Sequence, residues 1–386
     1  MAARSRRIAT IAGSLACGLI MATSAFAADP PRVTLRAEMG FAAQHPVVTA
    51  GWPAFTEAVG RDSGGGLRFT RFVSNALTGG EDSLERLAGG DADIGAVEPA
   101  RFPSIFPHAS LVADLAPFGA DPLAAAAAVT EFTLLRCVPC LTAWRDRNLV
   151  PLGTYAAPPY VLLTARPVER PESLRDRRIW SPGGIWDRWL RSLGAQPMAG
   201  PPAIGRGMAT NAIDGAIDTP LALHGKAARR SVQGIYDLPL GSFQGMMPFV
   251  VNGDTWRKLS QRHRSAVLIG APVGLIAITR AYRAEAGKAL TEAGTPAPVS
   301  PPALAEQTRQ FMDAELQRLA AAADERYGVP DGPEILATLK TLYTKYAALL
   351  APPNDAPYEA TVVLRREIFS KLDAKTFGMA PPRPDN

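Results

Sequence analysis

SLRDRRIWSPGGIWDRWLRSLGAQPMAGPPAIGRGMATNAIDGAIDTP, from Ser173 to Pro220, is the stretch that decides the fold. A short apolar core at Arg178–Ser181 runs into Pro-Gly-Gly, which predicts a buried strand that ends in a turn. Apolar residues then recur at helical spacing over Ile185–Leu193, and a glycine follows where a helix should end. A second short helix is predicted around Met208–Ile213, and a strand over Ala216–Pro220.

This order of strand, helix, short helix and strand is the unit of an α/β layer with parallel strands. Ligands of such sheets bind beyond the carboxyl ends of the strands. Those ends are Trp180-Ser181 and Asp218-Thr219 in this sequence. We therefore expect a binding site where these two pairs of residues meet.

The preceding part of the chain repeats the same alternation. Alternating and helical patterns predict strands and helices in turn at Arg32–Met39, Val47–Arg61, Leu67–Phe72, Glu81–Leu87 and Ala92–Val97, with a loop at Ser74–Gly80. The segments Leu87–Val97 and Met208–Asp218 share one order, which is helix, tight turn, aspartate and small-residue strand. This echo indicates two similarly built lobes.

The remaining elements are assigned in the same way. Leu123–Trp144 is predicted to be mostly helical, and Val150–Tyr155 and Tyr160–Thr164 are predicted as strands of the second lobe. Strands at Gly234–Pro239 and Phe249–Asn252 are expected to lead back to the first lobe. Long amphipathic helices are predicted at Arg262–Gly294, Pro302–Tyr327, Pro333–Leu350 and Val362–Leu372.

The N-terminus has the pattern of a secretory signal peptide. Three arginines precede an apolar stretch from Ile8 to Phe26, and Ala25-Phe26-Ala27 has the small residues that a cleavage site requires. We expect cleavage after Ala27, and an uncleaved membrane anchor is the alternative. No other stretch is expected to cross a bilayer, so the sequence predicts a soluble protein outside the cytoplasm.

Composition excludes several classes of function. The net charge of +5 includes the three arginines of the signal segment, so the rest of the chain carries too little positive charge to indicate nucleic-acid binding. The four histidines have no metal-ligand spacing, and neither a Gly-x-Ser-x-Gly elbow nor a glycine-rich phosphate loop is present. We therefore expect no enzyme, no metal and no cofactor.

Two cysteines, Cys137 and Cys140, remain after the predicted cleavage. In an oxidising compartment they are expected to form a local disulfide. The alternative is a redox dithiol, which would make the protein a periplasmic thiol-disulfide oxidoreductase. A redox dithiol usually opens a helix, whereas Leu123–Arg136 predicts that this pair lies late in one, which favours a structural disulfide.

Six segments in a fixed order carry a resemblance to a known family. They are Gly89–Ile94, Leu115–Phe118, Leu174–Pro182, Leu193–Pro197, Ala212–Pro220, and Val250–Asn252 with Trp256 and Leu259. In these the sequence resembles the substrate-binding proteins of tripartite ATP-independent periplasmic (TRAP) transporters, the dicarboxylate-binding family. The resemblance covers nearly all of the chain after the signal segment.

The resemblance implies an α/β fold of two lobes, periplasmic-binding-protein-like and type II-like, with long C-terminal helices. We expect a signal peptide at 1–27, a first lobe at 28–120, a second lobe with a connecting helix at 121–245, a return to the first lobe at 246–300, and helices packing across the lobes at 301–386. The implied function is that of a receptor that closes on a small organic solute, either a carboxylate or an aromatic or apolar one, and delivers it to the small and large membrane subunits. A ligand sensor on the same fold is the alternative.

One position departs from the family pattern. Where the family carries an arginine that binds the ligand carboxylate, this sequence has Trp180. Arg178 or Arg206 could replace it, Arg71 or Arg101 could supply another cation, or the ligand could be neutral or apolar with the indole as a stacking face. The candidate ligand-binding residues are Trp180, Arg178, Thr219, Asp218, Phe118, Phe243, Glu98 and His45.

Overall fold

The computed structural model describes residues 32–72, 81–200, 204–294, 298–299, 301–353 and 355–381. The predicted signal segment, its cleavage site and the predicted loop at Ser74–Gly80 lie outside these residues. In chain order the strands are β1 (Val33–Glu38), β2 (Leu67–Phe72), β3 (Ile94–Val97), β4 (Leu149–Pro151), β5 (Val161–Thr164), β6 (Arg178–Trp180), β7 (Gln196–Met198), β8 (Gly215–Asp218), β9 (Gly234–Tyr236) and β10 (Met247–Asn252).

The α-helices of the described residues surround these strands. They are α1 (Trp52–Asp62), α2 (Glu81–Ala88), α3 (Pro107–Asp114), α4 (Pro122–Glu131), α5 (Val138–Asp146), α6 (Gly184–Ser192), α7 (Ile204–Ala209), α8 (Lys226–Ser231), α9 (Gly253–Lys258), α10 (Gln261–Ala293), α11 (Pro302–Ala321), α12 (Ala323–Tyr327), α13 (Gly332–Leu349) and α14 (Pro357–Glu367). The predicted alternation in the first hundred residues and the long C-terminal helices are confirmed. The sequence pattern did not indicate β7, α3 or α8.

The strands form two five-stranded sheets. The first has the order β2-β1-β3-β10-β4 and the second has the order β7-β6-β8-β5-β9. In the first sheet β1, β2 and β3 are parallel, and in the second β6, β7 and β8 are parallel. The assignment of Val150–Tyr155 to the second lobe is wrong for its first residues, because β4 pairs with β10 in the first sheet.

Two segments carry the chain between the sheets. The first runs from β4 to β5 and the second from β9 to β10. They pair with each other, since the Ala157 N–H donates to the Phe243 carbonyl at 2.8 Å and the Tyr160 N–H donates to the Gly241 carbonyl at 2.9 Å. A pair of bonded crossing strands is a natural hinge between two lobes.

The two sheets also share an arrangement of side chains. In the first sheet the Arg36 guanidinium donates to Asp93 at 3.1 Å and to the carbonyl of Gly90 at 2.6 Å. In the second sheet the Arg178 guanidinium donates to Asp214 at 3.1 Å and to the carbonyl of Asn211 at 2.5 Å. In both cases the backbone N–H of the arginine also donates to the same carboxylate.

These two matched arrangements are called the Arg–Asp clips below. Each ties the start of a small-residue strand, β3 or β8, to its parallel neighbour, β1 or β6. Charge-assisted hydrogen bonds of this kind are stronger than neutral ones. The clips therefore fix the register that aligns the carboxyl ends of the neighbouring strands.

Helix α10 packs against α1 at close range. A Cβ on Gly270 would lie 2.6 Å from the Val59 side chain, and one on Gly274 would lie 2.6 Å from the Phe249 ring. Glycine at these positions lets α10 lie close to α1 and β10, where Phe55 of α1 stacks on Phe249 of β10 with ring centroids 4.4 Å apart. The helix is long and apolar enough to cross a membrane, contrary to the sequence prediction, but 61% of its most apolar window is buried inside the fold.

The C-terminal helices are bound to the rest of the fold by ion pairs. The Glu131 carboxylate of α4 has no exposed side-chain area, and it accepts hydrogen bonds from Lys345 and Tyr346 of α13, each at 2.6 Å. On the other side, Arg188 of α6 forms an ion pair with Glu315 of α11. Helices α11 and α13 thus connect elements next to both sheets.

The cysteine pair lies elsewhere on its helix than predicted. Cys137 is the N-cap of α5, and Cys140 lies in the first turn, so the pair opens a helix. The expectation that it lies late in a helix is therefore wrong. The two cysteines form a disulfide, and each residue is only 5% exposed. This burial limits the access that thiol exchange requires.

Candidate functional site

Trp180 and Asp218 end neighbouring parallel strands of the second sheet. Trp180 is in register with Ala216, so Asp218, two residues further along β8, lies on the same face of the sheet. Pro182 and two glycines turn the chain away after β6, and positive φ angles of 94° at Gly183 and 57° at Gly184 explain why glycine is needed there. The turn carries the chain from the end of β6 into α6.

The Trp180 indole is held in place at this edge. Its Nε1–H donates to the carbonyl of Gly200 at 2.7 Å. The ring is partly buried against an apolar cluster that includes Ala216, Ile204 and Met208. An aromatic ring with one anchored edge and partial exposure presents a flat apolar surface to solvent.

Asp218 is a partly buried carboxylate with one close partner. Its Oδ1 accepts the N–H of Thr219 at 2.6 Å. Burial raises the pKa of the Asp218 carboxyl to about 6, against the opposing effect of hydrogen bonds from Thr219. Among the described residues no basic side chain forms an ion pair with it.

Tyr160 connects the edges of the two sheets. It lies immediately before β5, and burial raises the pKa of its hydroxyl, with further contributions from the negative charges of Asp218 and Glu98. Its ring meets Trp186 edge-on, with ring centroids 4.9 Å apart. The carboxylate that ends β8 and the one that follows β3 therefore lie within electrostatic range of one phenol.

His45 and two tyrosines form a bonded group on the side of the first sheet. His45 lies in the loop after β1, and its Nε2 is 2.7 Å from the Tyr282 hydroxyl. The Tyr282 ring stacks on the ring of Tyr155 at 5.7 Å. Burial raises the pKa of Tyr282 to about 12 and raises that of Tyr155 well above its ordinary value, so both phenols are protonated at neutral pH.

The hydrogen bonds of His45 define its charge. The N–H of Val47 donates to its Nδ1 at 3.2 Å, so this nitrogen carries no proton. Nε2 then carries the proton and donates to Tyr282. Burial lowers the pKa of His45 to about 4, which agrees with a neutral imidazole at pH 7.

Glu98 follows β3 and is paired within its own turn. Arg101 donates to its carboxylate at 2.6 Å, and the side chains of Glu98 and Arg101 are 17% and 57% exposed. Because the negative charge of Glu98 also raises the pKa of Tyr155, after burial and Tyr282, Glu98 faces the same region as the tyrosines. The pair adds no net charge to this region.

The other candidates lie in different surroundings. Arg178 is at the amino end of β6 and is engaged in an Arg–Asp clip, whereas Thr219 follows Asp218 at the carboxyl edge and is partly buried. Phe118 is buried and meets the ring of Tyr343 of α13 edge-on at 6.0 Å. Phe243 lies in the second crossing segment, partly buried against the main core cluster.

The structure thus brings Trp180, Asp218 and Thr219 together at one edge and relates them to Glu98 and His45 through tyrosines. Tyr155, Tyr160 and Tyr282 were not among the predicted residues. They come from a crossing segment and from the middle of α10. Nothing in the sequence pattern around them indicated a binding site. We call the region between Trp180, Asp218, Tyr160, Glu98 and His45 the interlobe edge site.

Two further observations concern a cavity near this site and the possibility of metal binding. A cavity of about 350 Å³ beside the crossing segments is lined in part by Pro159, Pro220 and Arg283, and Arg283 pairs there with Asp121 at 2.9 Å. Within the part of the chain that the structure describes, no group of three or more His, Cys, Asp or Glu side chains is arranged to hold a metal ion.

The two sheets, the crossing segments and the site at the carboxyl edges define a two-lobe solute receptor of the periplasmic-binding-protein type. Residues 39–323 match the model of the bacterial extracellular solute-binding protein family 7. The chain belongs to this family, whose members are substrate-binding receptors of TRAP transporters and not enzymes. Helices α13 and α14 lie beyond the matched residues.

Solved structures with the same fold come from several bacteria. A TRAP periplasmic solute-binding protein from Bordetella bronchiseptica with bound mandelate has 22% identity and a TM-score of 0.64, and the match covers 81% of this chain and 99% of that one. One from Rhodoferax ferrireducens with benzoate has 19% identity and a TM-score of 0.66, covering 83% and 100%. The ectoine-binding protein of Halomonas elongata has 15% identity and a TM-score of 0.62, covering 81% and 100%. No curated protein sequence matches the chain significantly.

Proposed function

We propose that this protein is the periplasmic solute receptor of a TRAP-type secondary transporter, and that it binds a small organic solute, carboxylate or aromatic or apolar in character, at the interlobe edge site. The observation that carries this proposal is the arrangement of Trp180 and Asp218 at the carboxyl edge of one sheet, within electrostatic reach of Glu98 at the edge of the other through Tyr160. Sites at strand ends are where open α/β sheets bind ligands.

The crossing segments support a closing motion. Because they pair through Ala157–Phe243 and Tyr160–Gly241 hydrogen bonds, they hold the lobes together while their torsion angles can change. Closure removes the solute from water and exposes a lobe-lobe surface that differs from the open form. We propose that the small and large membrane subunits of the transporter recognise this closed form.

The likeness to structures with mandelate, benzoate and ectoine suggests the first solutes to test. A thermal-shift screen should include aromatic acids, dicarboxylates, cyclic zwitterions, amines, sugars and amino acids. We expect at least one of these classes to raise the melting temperature in a saturable way, since a ligand that binds only the folded protein stabilises it. The solute should be recovered unchanged.

Trp180→Ala serves as the site control in this screen. The variant should lose the shift while keeping the far-UV circular dichroism of the wild type, because the indole is partly exposed at the edge of its cluster. A screen in which no class of solute stabilises the wild type contradicts the proposal. So does a hit whose shift Trp180→Ala leaves unchanged, since the solute would then bind elsewhere.

A further inference from the structure

Asp218 is placed where a ligand charge would be needed to neutralise it. Removing a carboxylate from water is costly unless a cation or several hydrogen bonds compensate. The only close partner given by the described residues is Thr219, through its N–H at 2.6 Å. The side chain nevertheless lies at the carboxyl edge of β8, on the face it shares with Trp180.

Three of the basic residues considered for this site are engaged elsewhere or neutral. Arg178 is bound in its clip to Asp214, Arg101 pairs with Glu98, and His45 is uncharged by its hydrogen-bond pattern. The sequence at 73–80 and 201–203, outside the described residues, contains no lysine or arginine. Arg71, exposed at the end of β2, and Arg206, exposed on α7, are the remaining basic candidates, and neither forms an ion pair with Asp218 among the described residues.

Two aromatic side chains lie beside this carboxylate at the edge of the second sheet, Trp180 on β6 and Tyr160 before β5. Trp180 lies on the same face of the second sheet, one strand away, with its Nε1–H directed to Gly200. Tyr160 and Trp186 meet edge-on at 4.9 Å near the same edge. A carboxylate beside indole and phenol faces is the chemistry that binds organic cations, because the ring faces are electron-rich and the carboxylate supplies the opposite charge.

We propose that the solute of this receptor carries a positively charged nitrogen, as an organic cation or a zwitterion, and that Asp218 pairs with this nitrogen while Trp180 covers its apolar part. The inference rests on the proposed function and names the class of its solute. It differs from the arginine-carboxylate recognition that the family resemblance implies, since an indole occupies the arginine position. A simple anion would meet the negative charge of Asp218 and a Glu98 that already holds Arg101.

The test uses four probes of similar size and different charge. Benzylamine is cationic, 3-(aminomethyl)benzoate is zwitterionic, benzoate is anionic and benzyl alcohol is neutral. Isothermal titration of the wild-type protein without its signal segment measures each dissociation constant at pH 7.5. We expect benzylamine or the zwitterion to bind at least about tenfold more tightly than benzoate and benzyl alcohol, because only they compensate a desolvated carboxylate.

Asp218→Asn isolates the charge while keeping the shape and the acceptor for the Thr219 N–H. It should weaken the cationic and zwitterionic probes by about tenfold or more and leave benzyl alcohol within about threefold. Asp187→Asn is the matched control, because Asp187 lies on α6 of the same lobe, 29% exposed, in a helical pair with Arg191. The control should change none of the four affinities.

The outcomes separate this inference from the proposed function. If benzoate binds more tightly than benzylamine and the zwitterion, and Arg71→Ala abolishes its binding, the receptor recognises anions: the inference is overturned and the proposed function stands. The inference is also overturned if Asp218→Asn leaves benzylamine and zwitterion binding unchanged. If neither these probes nor any class of solute in the thermal-shift screen binds, both the inference and the proposed function are refuted.

Discussion

Replacing Asp218 by asparagine should make the ligand-free protein more stable. Burial raises the pKa of this carboxyl from 3.8 to about 6, so at pH 8 the folded protein holds a charge that it accommodates poorly. Each unit of pKa difference between the folded and unfolded states is worth about 1.4 kcal/mol. The shift sets an upper limit of about 3 kcal/mol, and partial exposure reduces the expected gain to about 1–2 kcal/mol.

The pH dependence of this gain has a definite sign. Between about pH 4 and pH 6 the folded state binds more protons at Asp218 than the unfolded state, so the free energy of unfolding falls as the pH rises. The penalty is absent below pH 4 and complete above pH 6. Among the residues that the structure describes, Thr219 and Tyr160 act on Asp218, Trp180 shares its face of the sheet, and Glu98 acts on the same phenol; none of these is a cation.

Urea unfolding of wild type and Asp218→Asn from pH 4.5 to pH 8 measures the effect. The variant should have the higher free energy of unfolding at pH 8, and the difference should shrink toward pH 4.5. The difference between the two proteins removes the contribution of all other titrating groups. A variant that is less stable at pH 8, or a difference that does not vary with pH, would show that Asp218 is stabilised by a partner and refute the reasoning.

Three further predictions concern other parts of the molecule. Trp180→Ala should weaken solute binding by about tenfold or more by isothermal titration, with unchanged circular dichroism; equal affinity would place the solute elsewhere. Arg36→Ala and Arg178→Ala should each lower the free energy of unfolding by a similar amount, about 1 kcal/mol for these partly exposed clips, with no loss of affinity; a loss in Arg178→Ala alone would assign it to the site. Glu131→Ala should lower the free energy of unfolding by about 1–3 kcal/mol by urea titration, because the buried Tyr346 hydroxyl loses its acceptor while the partly exposed Lys345 keeps its ion pair with Glu367; an unchanged free energy of unfolding would mean that α13 relaxes to hydrate the hydroxyl.

Local patterns predicted most of the elements because periodicity is a local property. The strand at Arg178–Trp180 and the helix at Gly184–Ser192 follow from apolar spacing and the glycine turn between them. The sheet of β4 could not be predicted in this way, since its partner β10 lies about a hundred residues away along the chain. Strand pairing over such distances depends on the whole fold.

The cysteine pair was misplaced although the sequence contained the relevant indication. Pro139 lacks the N–H that would continue a helix from Arg136, and proline is favoured in the first turn of a new one. The structure accordingly begins α5 at Val138, with Cys137 as its cap. The helical pattern of Leu123–Arg136 therefore ends before Pro139 and does not continue through the cysteine pair.

The site was accessible to sequence analysis only at the strand ends. Trp180 and Asp218 follow from the rule that parallel strands present ligands at their carboxyl ends. Arg178 shares the face of Trp180 by alternation but lies at the opposite end of a three-residue strand, where Asp214 binds it. Tyr155 and Tyr282 belong to segments far apart in sequence, and only the packing of α10 against the crossing segment brings their rings together.

The most direct measurement of the central claim is a crystal structure of the protein with the tightest-binding solute from the screen. We predict electron density between the two sheets, with the solute in contact with the Trp180 indole and a nitrogen of the solute within hydrogen-bonding distance of Asp218. Density in the neighbouring cavity instead, against Arg283 and Pro220 and with Trp180 untouched, would contradict it.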